Sequence, residues 1–200
     1  FILNIKEKIK SVILSSLVSP NNRTIGMEEE IIIFTKERKR LPVNEGSFFS
    51  GKELIKALNK YDDNGVYSLE PGGQVEWSSP PRKSLIDLGK AQNEHKINLN
   101  KVLVRNNLEA ISYGVDPIFS PEEVDLIDEI KYELMNQNME KNGSMGKWMM
   151  RNTASVQINF DFVSEKELEE IVFVSDCVNP VSAFLFSNSP FINGEKVKNK

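Results

Sequence analysis

The segment Gly26-Met27-Glu28-Glu29-Glu30-Ile31-Ile32-Ile33-Phe34 sets three consecutive carboxylates directly against four large apolar residues. Such a density of β-branched and aromatic residues predicts a strand over Ile25 to Thr35. Strand side chains alternate between faces, so Glu28 and Glu30 share one face and Glu29 takes the other. A carboxylate inside an apolar strand is costly to desolvate unless a cation compensates it, and Mg2+ takes carboxylate oxygens together with phosphate and water. The same pattern also suits a solvated face, so this strand alone leaves both readings open.

Two further segments bear on that choice. In Gln74-Val75-Glu76-Trp77, period two places Gln74 and Glu76 on one face of a second strand, and Gly72-Gly73 before it lets backbone approach a ligand closely. From Thr153 to Phe162, Ser155, Gln157, Asn159 and Asp161 alternate with Ala154, Val156, Ile158, Phe160 and Phe162, which predicts a strand with one polar and one apolar face. Gln157 and Asn159 offer amides that bind metal or substrate oxygens without adding charge. Each strand alone would also serve as an edge with a wet face, but three of them at period two favour one shared polar floor.

The remaining pattern is helical with short strands. An amphipathic helix opens the chain and ends at Ser19-Pro20-Asn21-Asn22. Ser50 caps a helix from Gly51 through Lys60, and Val66 to Leu69 reads as a strand. Ser84 begins a long apolar stripe read as one helix up to Gly114, and Pro121 begins another running through Ile127, Ile130 and Leu134. After a turn at Gly143-Ser144-Met145-Gly146, Ser164-Glu165-Lys166-Glu167 has capping-box spacing for a helix to about Asp176, with a second helix at Val181 to Phe186. Residues 1–200 thus read as a single α+β domain. It is expected to be incomplete, because the chain begins without Met and stops in a polar run.

Composition removes several function classes. A net charge of -4 argues against a general nucleic-acid binder, and no apolar run approaches the ~18 residues of a membrane span. The basic cluster Lys36, Arg38, Lys39 and Arg40 reads as an exposed loop. Cys177 is the only cysteine, which forbids an intrachain disulfide and a zinc site built on thiolates. A buried structural thiol and a reducing, cytoplasmic setting follow as expectations. His95, among Asn93, Glu94 and Lys96, reads as solvent-facing, while Trp77 and Trp148 read as core. No residue presents itself as a catalytic nucleophile.

Gly26 to Glu30, then Ser68-Leu69-Glu70-Pro71-Gly72-Gly73-Gln74-Val75-Glu76 with Ser79-Pro80, then Met149-Met150 through Phe162, then Ser187-Asn188-Ser189-Pro190-Phe191 resemble, in order, the signatures of plant-type and bacterial glutamate-cysteine ligases. The resemblance implies a fold similar to the glutamine synthetase catalytic domain, a curved antiparallel sheet with flanking helices, here truncated. It implies Glu28, Glu30, Glu76 and Gln157 as metal ligands. Glu70, Gln74, Arg151 and Asn159 follow as substrate or nucleotide contacts. One departure is Asn152, which stands where plant-type members carry arginine, with Arg151 one position earlier.

The resemblance further implies ATP and Mg2+ as cofactors and L-glutamate and L-cysteine as substrates. The γ-carboxylate of glutamate would be phosphorylated, and the amine of cysteine would displace phosphate to give γ-glutamylcysteine and ADP. The alternatives are a ligase using another amine and a metal- or nucleotide-binding protein without catalysis.

Overall fold

The computed structural model describes residues 2–46, 49–143 and 145–197. Ser144 of the expected turn and the terminal Lys198-Asn199-Lys200 lie outside the described residues. Helices α1 (Ile2–Leu14), α2 (Gly51–Tyr61), α3 (Leu85–Arg105), α4 (Ile130–Asn142), α5 (Gly146–Asn152) and α6 (Glu165–Leu185) accompany strands β1 (Ile25–Thr35), β2 (Val66–Leu69), β3 (Val75–Ser78), β4 (Leu108–Ile111) and β5 (Val156–Phe160). A small hairpin, β6 (Phe191–Ile192) and β7 (Glu195–Lys196), follows.

Among the described residues all strand pairing is antiparallel, and the architecture is α+β. The order β2-β3-β1-β4 makes the acidic strand central, with β5 also paired to it. Glu28 lies opposite both Ser78 and Gln157, so β3 and β5 flank β1 on opposite edges. Beyond β5, β4 pairs with Ile32–Thr35 on that same edge. One long strand therefore pairs with β3, β4 and β5, while β2 joins the sheet through β3.

The two faces of β1 have different fates. Glu29, Ile31 and Ile33 face α2 and α3, whose Leu54, Leu58, Ala91, Leu99 and Leu103 complete the core. Glu29 is buried there, accepting from Gln92 Nε2 at 2.8 Å and paired with Lys96 at 3.4 Å. Local signals place the helices: Ser50 and Glu53 form a reciprocal capping box on α2, and the Ser84 hydroxyl accepts from Asp87 N–H on α3. On the opposite face, Ile32 and Phe34 are fully buried, Phe34 lying 6.2 Å from Phe119. Only the first half of that face, with Glu28 and Glu30, is left partly open.

Several expectations are corrected. The long helix stops at Arg105 rather than Gly114, because Asn107 adopts a left-handed φ of 56° and the following residues pair with β1 as β4. Pro121–Glu123 forms only a 3-10 turn. There the Ile127 N–H donates to the Pro71 carbonyl and the Asp128 N–H to Asn44 Oδ1, so tertiary bonds replace the helical ladder until Ile130. The pair of helices expected after Ser164 is one continuous helix through Pro180. On β5 the apolar side is open as well, with Val156, Ile158 and Phe160 all exposed.

Four single residues also differ from expectation. Cys177 is exposed on α6. Arg40 leaves the basic cluster and buries its guanidinium against Asp116. His95 is completely buried, its ring stacked on Trp77 with centroids 4.3 Å apart and planes within 8°. Tyr67 donates its hydroxyl to Asp62 at 2.8 Å and lies 2.9 Å from His95 Nδ1, so Nδ1 carries the proton and donates to Tyr67. Trp77 is core as expected, whereas Trp148 is partly exposed. No helix among the described residues is long and apolar enough to cross a membrane.

Candidate metal centre

Antiparallel register decides which acids meet. Glu30 on β1 and Glu76 on β3 are direct cross-strand partners, and Ser68 on β2 lies opposite Glu76 in turn. Directly opposed side chains on one face stand ~5 Å apart at Cβ, a separation unfavourable for like charges. Glu70 enters from the turn joining β2 to β3. Its N–H donates to the Gln74 carbonyl, and its own carbonyl accepts from Gly73 N–H at 2.8 Å. Gly73 holds a φ of 80°, a left-handed conformation that favours glycine, so the turn bends tightly enough to bring Glu70 over the sheet.

Carboxylate oxygens of Glu30, Glu70 and Glu76 all lie within 4.8 Å of one another. Each group is partly buried. Hydrogen bonds aim two of them: Ser155 donates its N–H and hydroxyl to Glu30 Oε2, while Ser68 and Ser78 hydroxyls reach Glu76 Oε1. In both cases the donors converge on a single carboxylate oxygen. Burial and the neighbouring charges of Glu76 and Glu30 push Glu70 up to about 7. Glu30 is raised as well, by burial first, with Ser155 opposing and the charges of Glu76 and Glu28 adding to the rise. Such crowding disfavours the fully ionised trio and is relieved by a cation. An oxygen-only donor set of this size suits Mg2+, which needs few protein carboxylates and completes its shell with water and phosphate.

The other expected site residues lie around this trio. Glu28 is on the same face but outside the group of three, its two oxygens accepting from Gln157 Nε2 at 2.8 Å and Asn159 Nδ2 at 2.9 Å. Gln157 also donates to Asn159 Oδ1 at 3.2 Å, so these three residues form one polar ladder across β1 and β5. Gln74 is buried beside the turn and donates to the Thr153 carbonyl. Arg151 is turned to the α4 side, where it donates to the Pro121 and Val124 carbonyls and to Asn136 Oδ1. The residues that sequence reasoning missed are the serines. Ser78 lies two residues from Glu76 on β3 and Ser68 directly opposite it on β2, a signal readable once β2 and β3 are paired.

A sequence profile described as glutamate-cysteine ligase family 2 matches residues 24–198. The chain belongs to that family. Among curated relatives, glutamate-cysteine ligase B, chloroplastic, of Oryza sativa subsp. japonica is 32% identical over 95% of this chain and 41% of its own length. The chloroplastic glutamate-cysteine ligases of Medicago truncatula and Arabidopsis thaliana are 33% and 32% identical over 64% of this chain, covering 25% and 24% of theirs. The chain thus spans less than half the length of these family relatives. Their chloroplastic designation overturns the cytoplasmic setting expected from cysteine usage.

Proposed function

We propose that this chain carries one wall of the active site of an ATP-dependent glutamate-cysteine ligase with a glutamine synthetase-like fold. The substrates of this reading are L-glutamate, L-cysteine and ATP; the products are γ-glutamylcysteine, ADP and phosphate. The observation that carries it is the meeting of Glu30, Glu70 and Glu76 on the open half of the central strand, within a chain of this family.

The chemistry explains why such a wall is needed. A carboxylate has no usable leaving group, so it is first phosphorylated, and the amine then displaces phosphate from the γ-glutamyl phosphate. Two anions must approach each other in the first step. Bound Mg2+ supplies charge neutralisation and a fixed orientation for phosphate oxygens at that stage. Glu30, Glu70 and Glu76 would hold the ion. Ser155, Ser68 and Ser78 fix the carboxylate rotamers, which limits the reorganisation left for the moment of reaction. Glu28 accepts from two side-chain amides, and the donors, Gln157 and Asn159, extend this polar floor toward a substrate. No protein nucleophile takes part.

The test is ADP formation by the full-length protein with each amino acid supplied or withheld. The reading expects dependence on both, and a loss of at least tenfold in Glu76→Gln, of the order seen when one ligand-orienting group is removed. Turnover indifferent to cysteine would reassign the amine, and near-normal turnover in Glu76→Gln would remove the metal assignment.

A further inference from the structure

Arg40 is the one member of the basic cluster that the fold takes inside. It sits on the return of the hairpin after β1, bridged to Phe34, with its side chain 8% exposed and that of Asp116 fully buried. Nη1 donates to Asp116 Oδ2 at 2.7 Å, and Nη2 donates to the Gly72 carbonyl at 2.6 Å. The other Asp116 oxygen accepts from the N–H groups of Ile118 and Phe119. A buried ion pair gives up much hydration, and replacing it by apolar residues is often neutral or stabilising, so its presence needs a reason beyond stability.

The second arm of the guanidinium supplies that reason. Gly72 belongs to the turn that delivers Glu70, and the turn is gripped from two sides. Arg40 draws its carbonyl, while α5 closes against it so tightly that a Cβ on Gly72 would run into the Arg151 backbone. Lysine could pair with Asp116, but only a forked donor spans a carboxylate and a carbonyl in fixed geometry. We propose that Arg40 is a positioning residue for the cation site: by holding the Gly72 carbonyl it fixes the turn, and so sets Glu70 against Glu30 and Glu76. The inference rests on the metal reading of that trio.

Mn2+ serves as the probe, its binding to the full chain followed by electron paramagnetic resonance, with backbone amide exchange measured on the metal-free protein. Arg40→Lys should weaken Mn2+ binding about tenfold, as outer-shell changes do. In a Glu70→Gln background the same substitution should cost nothing further, since both act through one carboxylate. Without metal, Arg40→Lys should speed exchange at the Glu70 and Gly73 amides while leaving the centre of β1 protected. Gly72→Ala, which displaces the turn from the α5 side and leaves the ion pair alone, should reproduce both effects. Mn2+ binding with unchanged exchange at Glu70 and Gly73, or losses that add in the double variant, overturns the proposal alone. Absence of Mn2+ binding by the unaltered chain sinks the metal reading, and the proposal with it.

Discussion

Acidification should loosen this protein at His95. The imidazole is wholly buried against Trp77, its Nδ1–H is spent on Tyr67, and Nε2 has no partner among the described residues. Burial pushes its pKa from the ordinary 6.5 down to about 4, with Lys96 acting in the same direction and Glu29 and Asp62 opposing. The folded state therefore refuses a proton that the unfolded state accepts between these two values. Full stability is present above the unfolded pKa and is lost as pH falls through the folded one. At ~1.4 kcal/mol per unit, the loss approaches ~3 kcal/mol at the acid end. Urea denaturation read by tryptophan fluorescence from about pH 7 to about pH 4.5 measures it, with His95→Phe as the reference that keeps the stack and removes the titration. Glu30 and Glu70, held above their ordinary values, contribute the opposite slope in both proteins and cancel in the difference. Parallel pH profiles for the two would refute the buried-neutral imidazole.

Other substitutions test the packing and the acidic face. Leu54→Ala removes a fully buried side chain between α2 and the sheet and should cost about 2–5 kcal/mol in urea titrations. Gly65→Ala should cost about 1–3 kcal/mol, because Gly65 holds a φ of 130° and a Cβ there would strike the Trp77 indole. A raised carboxyl such as Glu70 lends the fold stability that is lost as pH rises through about 7. Glu70→Gln should flatten that decline in metal-free protein; an unchanged decline would contradict the crowding of the trio.

Sequence pattern was most informative where one physical rule acted alone. Strand alternation separated Glu28 and Glu30 from Glu29, and β1 appears with the expected boundaries. Ser50 and Ser84 marked their helix starts because capping is local. The boundary at Asn107 was hidden because Leu108 and Ile111 continue an apolar helical spacing, and only pairing with β1 makes them a strand. His95 was misjudged from its polar neighbours, although Leu88, Ala91, Leu99 and Val102 sit at helical spacing around it and all are buried. That periodicity was the usable signal. For Arg40 no local signal exists: its burial depends on Asp116 and Gly72, far away in sequence.

The site was legible to a similar degree. Glu30 and Glu76 follow from period two on neighbouring strands, while Glu70 joins them only through the bend at Gly73, which no periodicity encodes. The role of Gln157 as a donor to Glu28 depends on the β1–β5 register, a long-range pairing that alternation permits without specifying.

Calorimetric titration of Mg2+ into the full chain, beside Glu30→Gln, Glu70→Gln and Glu76→Gln, puts the central claim to the test. The account predicts saturable binding by the unaltered chain, weakened about tenfold or more by each substitution. Binding left intact by all three would show that the acids gathered over β1 and β3 are not the cation site.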